Sequence, residues 1–216
     1  MRNLKSLTIC VVIGLVIAVS AQTTQIAKPS AHEMLERSLP GNEVDYFTTT
    51  DAFHMSLGGM AGGSARVLDC DGDYFKQVWS PLNKTLRQAL DTIVENDPRY
   101  RWQVVDQVIN LLPATGEPVL LQTRIKEFRV ENISLAMDTV SPLLKLPEVK
   151  KAMDDLDLKH GIAGFFTSPS PKPFSVKCEN VTLRQALNAI ARAEGRAVWD
   201  YVETHCYKQN EVIIRF

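Results

Sequence analysis

The sequence predicts an α+β protein made of two small βαββ modules with a helical segment inserted between them. The main observation is an internal repeat. The hexamer Thr-Leu-Arg-Gln-Ala-Leu begins at Thr85 and again at Thr182. Each copy is followed at the same distance by a tryptophan, Trp102 and Trp199, and the two stretches from threonine to tryptophan are identical at 9 of 18 positions. Internal similarity of this kind indicates that one supersecondary unit is used twice.

Each copy of the repeat has the pattern of a capped amphipathic helix followed by two strands. Thr85 with Gln88, and Thr182 with Gln185, match the Thr-x-x-Gln capping box. Apolar residues then recur at i, i+3, i+4 and i+7, which places them on one helical face. They are Leu86, Ala89, Leu90 and Ile93 in the first copy and Leu183, Ala186, Leu187 and Ile190 in the second. The strands predicted after the helices are residues 100–105 and 108–112, and residues 197–202 and 212–216.

The chain opens with a pattern that predicts a signal peptide over residues 1–21. Arg2 and Lys5 precede a largely apolar run of 15 residues that ends at Ala21. A membrane-spanning helix needs about 20 apolar residues, so we predict cleavage after Ala21, with an uncleaved anchor as the alternative. The predicted location is the periplasm or the outside of the cell, without stable membrane insertion after cleavage.

The predicted mature chain is weakly acidic. Removal of residues 1–21 takes away two basic residues and no acidic ones, which leaves 22 basic and 25 acidic residues and a net charge of −3. No basic run or stripe is present, so nucleic acid is not a predicted partner. With 45% hydrophobic residues, the composition is that of an ordinary folded protein.

Three cysteines remain after the predicted cleavage, namely Cys70, Cys178 and Cys206. An exported protein meets an oxidising compartment, so one disulfide and one free thiol are expected. Cys178 and Cys206 flank the second copy of the repeat, and we predict that they form the disulfide. Cys70 would then be free. The alternative is that all three are reduced and act as small buried side chains.

Residues 22–43 are polar and lack apolar periodicity, which predicts a flexible lead-in with one short helix at residues 31–38, where Ser30 and Glu33 match a capping box. The first module is predicted over residues 44–113. Its first helix is capped by the polar residues 48–51 and is stopped by glycines, and residues 66–70 are predicted to form a strand. The glycines are Gly58, Gly59, Gly62 and Gly63.

Residues 114–173 are predicted to hold a diverged half-unit, a helical insert and a Pro-rich linker. Residues 124–130 resemble a strand, residues 148–158 a helix, and residues 168–173 read Ser-Pro-Ser-Pro-Lys-Pro. The second module is predicted over residues 174–216.

The second module resembles a known family. Its strand ends in Val-x-x-Glu-Asn-Val-Thr-Leu (residues 176–183) and leads into an amphipathic helix, a glycine stop and a strand pair. This pattern resembles the secretin and TonB short N-terminal (STN) domain. The match covers residues 174–216 and, less closely, residues 66–113. The resemblance implies a small cell-envelope module that contacts other proteins without catalysis, with a partner in a secretin or TonB-dependent receptor system.

No motif in the sequence predicts a catalytic, cofactor-binding or metal-binding residue. None of the four histidines lies three to five residues from another histidine or a cysteine. The acidic run at residues 69–73 lacks the glycine and glutamate of a calcium-binding EF-hand loop. The alternative hypothesis is a secreted enzyme whose site is assembled from distant residues. The candidates are Asp69, Asp71, Asp73 and His205.

The predicted function is therefore protein binding or assembly by a non-enzymatic exported module. Small sheets leave edge strands, and pairing at an edge is a common route to partner binding. The predicted edges are residues 108–112 and the C-terminal strand. The residues predicted to bind in the C-terminal strand are Val212, Ile213, Ile214, Arg215 and Phe216.

Overall fold

The protein is described here by a computed structural model that covers residues 31–39, 45–46, 48–70, 78–79, 84–161, 170, 172–206 and 209–216. The predicted signal peptide, residues 1–21, lies outside the described residues. The fold is α+β, as predicted. The helices are α1 Ala31–Leu35, α2 Thr49–Leu57, α3 Leu86–Asn96, α4 Val140–Leu144, α5 Pro147–Asp155 and α6 Leu183–Glu194, with 3₁₀ helices at Leu120–Gln122 and Ala136–Thr139. The strands are β1 Asp45–Tyr46, β2 Gly62–Asp69, β3 Val78–Trp79, β4 Tyr100–Val105, β5 Val108–Pro113, β6 Arg124–Ile133, β7 Lys159–His160, β8 Phe174–Thr182, β9 Val198–Cys206 and β10 Gln209–Arg215.

The strands form one mixed sheet and two small antiparallel ones. The central sheet has the order β4-β5-β2-β9-β10-β7. The small sheets pair β1 with β3 and β6 with β8. In each sequence repeat, the strand before the helix therefore lies in a small sheet, whereas the hairpin after the helix lies in the central sheet. The predicted βαββ modules do not form separate sheets.

The topology is duplicated over a longer stretch than the sequence repeat. We call β1–β5 with α2 and α3 the first half, and β6–β10 with α5 and α6 the second half. In both halves the first and third strands pair antiparallel. In both, the second strand pairs parallel with the fifth, and the last two strands form an antiparallel hairpin. Each half thus contributes three strands to the central sheet in the same order.

Local sequence signals explain the boundaries of the helices. The capping boxes predicted at Thr85 and Thr182 are confirmed. Each threonine side chain accepts a hydrogen bond from the backbone N–H three residues on, and the glutamine side chain at that position accepts one from the threonine N–H. Gly58 ends α2 with a φ of 57°, a conformation that glycine adopts without a steric penalty. Gly62 and Gly63, which were expected to belong to the helix stop, instead begin β2.

The two larger hydrophobic cores among the described residues lie on opposite faces of the central sheet. Ile109 and Leu111 of β5 pack with α2 and α3, whereas Leu112 belongs to the core around α6. Successive residues of a strand point to opposite faces, so β5 serves both cores.

The halves meet where β2 and β9 pair in parallel over eight residue pairs, from Gly62 with Val198 to Asp69 with His205. The close approach requires a glycine, because a Cβ on Gly63 would lie 1.9 Å from Cε2 of Trp199. A Cβ there would collide with the indole, so the glycine at the start of β2 makes room for Trp199.

The predicted disulfide between Cys178 and Cys206 is wrong. Cys206 pairs with Cys70, at a Cα–Cα distance of 4.9 Å, and Cys178 is the free cysteine. The reason is the register of the junction: Asp69 is paired with His205, so the next residue of each strand is also adjacent. The disulfide therefore joins the two halves.

Part of the predicted lead-in is ordered in the structure. Helix α1 packs on α3, and Leu35 is buried in the core with Phe53 and Leu90. The backbone N–H of Leu86 donates to Arg37, and that of Leu39 to Lys84, which fixes this segment against the start of α3. Residues 22–30 lie outside the described residues.

Among the described residues, no helix is long and apolar enough to cross a membrane.

Candidate functional site

The structure contradicts one of the two predicted binding edges and places part of the other beside a two-residue strand. Residues 108–112 form β5, which is an interior strand because β4 and β2 pair with its two sides. The prediction of an edge there is wrong. In β10, Glu211 and Val212 pair with β7, whereas Ile213 to Arg215 have no partner strand on that side among the described residues. Val212 and Ile214 are buried in the core. Substitution of Ile214 would therefore disturb folding as well as any binding.

Strand β4 is an edge of the central sheet. Within the described residues it pairs only with β5, through a register that runs from Tyr100 with Pro113 to Val105 with Val108. The two-residue turn between these strands has positive φ at Asp106 (53°) and Gln107 (63°), as a type I′ hairpin requires. In such a hairpin the residues that flank the turn form a hydrogen-bonded pair, and the pairs then alternate.

This alternation determines which backbone groups of β4 face outward. The backbone N–H and C=O groups of Val105 and Gln103 are directed towards β5, so those of Trp102 and Val104 point away from it. These are the groups that an added strand would bind. We call this row, from Tyr100 to Val105, the β4 edge.

The repeat makes β9 the counterpart of β4. Trp199 Nε1 donates to Asn188 Oδ1 at 2.8 Å, and Trp102 Nε1 donates to Asp91 Oδ1 at 2.9 Å, from aligned positions of the repeat. In β9 the side equivalent to the β4 edge is occupied by β2. Among the described residues, the side of β4 that corresponds to this paired side of β9 has no partner strand.

A buried charged cluster lies at the junction of the halves, around Asp200 of β9. Asp200 is 2% exposed. It accepts hydrogen bonds from Ser64 at 2.8 Å and from two nitrogens of Arg215, at 2.9 and 2.6 Å, and Arg66 forms an ion pair with it at 3.4 Å. Arg66 also donates to Thr50 of α2. The Asp200 carboxylate thus links β9 to β2 and β10, and through Arg66 to α2.

His54 and Ser64 extend this cluster without the geometry of a serine hydrolase. His54 Nε2 lies 2.9 Å from Ser64 Oγ, and the Ser64 hydroxyl donates to Asp200. In a catalytic triad the histidine lies between the serine and the acid and accepts the serine proton. Here the serine lies in the middle and is fully buried. The three residues therefore form a structural chain of hydrogen bonds.

Burial lowers the pKa of His54 below its ordinary value, although Asp200 and Asp51 oppose this. Because the folded state disfavours the protonated form, stability should be complete above the unfolded pKa of about 6.5 and should fall as the pH drops towards the folded pKa. In urea unfolding, we expect the free energy of unfolding to fall more between pH 7.5 and pH 5.5 in the wild type than in His54→Gln. The difference is at most about 1.4 kcal/mol per pH unit. Equal pH dependence in both proteins would contradict it.

An open cleft of about 990 Å³ lies beside the cluster, between the start of α2, the end of β2 and the α3–β4 turn. Asp97 is buried there and binds Arg99 and Thr49. Burial alone would raise the pKa of Asp97, but hydrogen bonds from Arg99 and Thr49 outweigh it and hold the pKa below its usual range.

The residues suggested for a secreted enzyme are only partly brought together. Asp69 lines this cleft and is the cross-strand neighbour of His205. His205 instead binds Asn210 and Glu203, and its pKa is raised, first by the hydrogen bond with Asn210. Asp71 and Asp73 lie outside the described residues. Among the residues described, no group of three or more His, Cys, Asp or Glu side chains could hold a metal ion.

Sequence reasoning missed the cluster around Asp200. One local signal was present: an aspartate stands between Trp199 and Tyr201 in the otherwise apolar first five residues of β9, which indicates a buried acid that needs a partner. Its partners, Ser64 and Arg66, lie more than 130 residues away in sequence.

Comparisons with known proteins find no matching family model, no similar curated protein and no similar solved structure.

Proposed function

We propose that this chain is an exported, non-enzymatic binding or assembly module of the cell envelope that accepts a strand of a partner protein at the β4 edge. One observation carries the proposal. The β4 edge has no partner strand among the described residues, while the equivalent side of β9 pairs with all eight residues of β2. The protein thus contains a filled example of the contact that we propose for its free edge.

The chemistry of the edge supports strand addition. The backbone N–H and C=O groups of Trp102 and Val104 point away from β5, and Val104 is 37% exposed. An edge strand that contains no proline and has no second partner strand among the described residues is a template for pairing with another chain. The cysteine pair between Cys70 and Cys206 supports export, because structural disulfides persist in oxidising compartments. The resemblance to STN domains favours a partner from a secretin or TonB-dependent receptor system.

The test is to replace Val104 by proline. Proline removes the outward N–H and leaves the hydrogen bonds to β5 in place, and it is tolerated on edge strands when its nitrogen faces solvent. We expect Val104→Pro to reduce capture of the envelope partner by the immobilised mature protein at least about tenfold. The matched control is Val104→Thr, which keeps the N–H and the branched side chain and should bind like the wild type.

Thermal unfolding of the three proteins shows whether the fold is unchanged. A partner that is captured equally by the wild type and Val104→Pro, with equal unfolding midpoints, would rule out the β4 edge as the binding site.

A further inference from the structure

The internal contact between β2 and β9 also indicates which strand fits the β4 edge, if the proposed function holds. In β2, Gly63 lies opposite Trp199 and Ala65 lies opposite Tyr201. Trp199 and Tyr201 are fully buried, and Gly63 lies directly against the Trp199 indole. The contact therefore combines a large aromatic residue on the accepting strand with a glycine on the added strand.

The accepting residues have counterparts in β4. In the alignment of the repeat, Trp102 corresponds to Trp199 and Val104 to Tyr201. Trp102 is half-buried and Val104 is exposed, whereas their counterparts are completely covered. The same two positions of the strand are thus buried in β9, which pairs with β2, and partly exposed in β4, which has no second partner strand among the described residues.

We infer that the β4 edge recognises an extended segment that runs parallel to β4, with glycine opposite Trp102 and a small residue such as alanine opposite Val104. The steric reason comes from the junction. The glycine there comes so close that a Cβ would be 1.9 Å from one indole carbon and 2.2 Å from the indole nitrogen. The Trp102 indole is held in the same way as that of Trp199, by a carboxylate or amide oxygen at the equivalent helical position. A larger residue on the added strand would therefore collide with it.

The occupant that we infer is a segment of another protein and not a second copy of this chain. Among the described residues, the opposite end of the central sheet is β7, in which Lys159 and His160 are paired. Such a short strand gives a second copy little to pair with the β4 edge. Two β4 edges related by a twofold axis would run antiparallel, whereas the β2–β9 contact from which the inference is drawn is parallel.

The inference is tested with a labelled peptide that has the sequence of residues 62–69, Gly-Gly-Ser-Ala-Arg-Val-Leu-Asp, and fluorescence anisotropy. We expect it to bind the mature protein, and the change Gly63→Val in the peptide to weaken binding at least about tenfold. The control peptide carries Val67→Ala. Val67 pairs with Glu203 in β9, whose counterpart in the first half is Asp106, beyond the end of β4. This control should bind like the parent peptide.

The outcomes separate this inference from the proposed function. Binding that is lost with the Gly63→Val peptide and with the Val104→Pro protein supports both. Equal binding of the glycine and valine peptides would overturn the inference. So would failure of every peptide while envelope capture remains sensitive to Val104→Pro, an outcome that leaves the proposed function standing. Concentration-dependent self-association that Val104→Pro abolishes would also overturn it, because the occupant would be a second copy.

Discussion

Replacing both Cys70 and Cys206 by serine is expected to lower the free energy of unfolding by about 4 kcal/mol. The bond closes a loop with a sequence separation of 136 residues, and in the chain-entropy model a long loop removes much of the conformational freedom of the unfolded chain. Urea unfolding of the oxidised wild type and of the double variant measures the difference.

The matched control for this prediction is Cys178→Ser, which removes the free thiol in β8 and should change stability far less. Addition of a reducing agent should bring the wild type close to the double variant. Alkylation of the unfolded, unreduced mature protein should modify one cysteine, Cys178. Modification of all three would show that the disulfide between the halves is absent and would contradict the prediction.

Replacing Asp200 by alanine is expected to lower the free energy of unfolding by about 3 kcal/mol. The change leaves Ser64, Arg66 and Arg215 without their common acceptor, and removal of one partner from a buried ion pair costs about 3–5 kcal/mol. We place the value at the lower end because the Arg215 side chain is 44% exposed and can turn towards water. Chemical denaturation at neutral pH gives the measurement.

An exposed ion pair provides the control for Asp200. Lys150 and Asp154 on α5 form an i,i+4 pair in which the Asp154 side chain is 64% exposed, and such pairs contribute about 0.5 kcal/mol or less. Asp154→Ala should therefore have almost no effect. If Asp200→Ala were equally mild, Asp200 would not hold the junction together.

The features that could be predicted from the sequence are those set by neighbouring residues. Thr85 and Thr182 cap their helices by accepting from the backbone N–H three residues on, and the glutamine side chains there accept from the threonine N–H groups in return. The apolar positions that follow define the buried faces of α3 and α6. The strands of the hairpins after these helices were also predicted from the residues that follow each helix in sequence. The residues that make these interactions are close in sequence, so the residue pattern and its spacing predict them.

The features that could not be predicted depend on the long-range pairing of β2 with β9 and with β5. The glycines at the start of β2 indicated a helix stop, and nothing local to them shows that Trp199 lies opposite Gly63. The true disulfide and the contacts of Asp200 with Ser64 and Arg66 follow from the pairing of β2 with β9. The interior position of β5 follows from its pairing with β2. The free β4 edge was missed for the same reason, since an edge is defined by the strands that are not beside it.

The covalent link between β2 and β9 also determines how the chain would carry tension. A pull on the residues before Cys70 and after Cys206 passes through the disulfide and not through the 136 residue steps between them. At about 3.5 Å per extended residue, roughly 480 Å of chain is shielded from stretching. A module held between envelope proteins would therefore transmit force across its junction with little elongation.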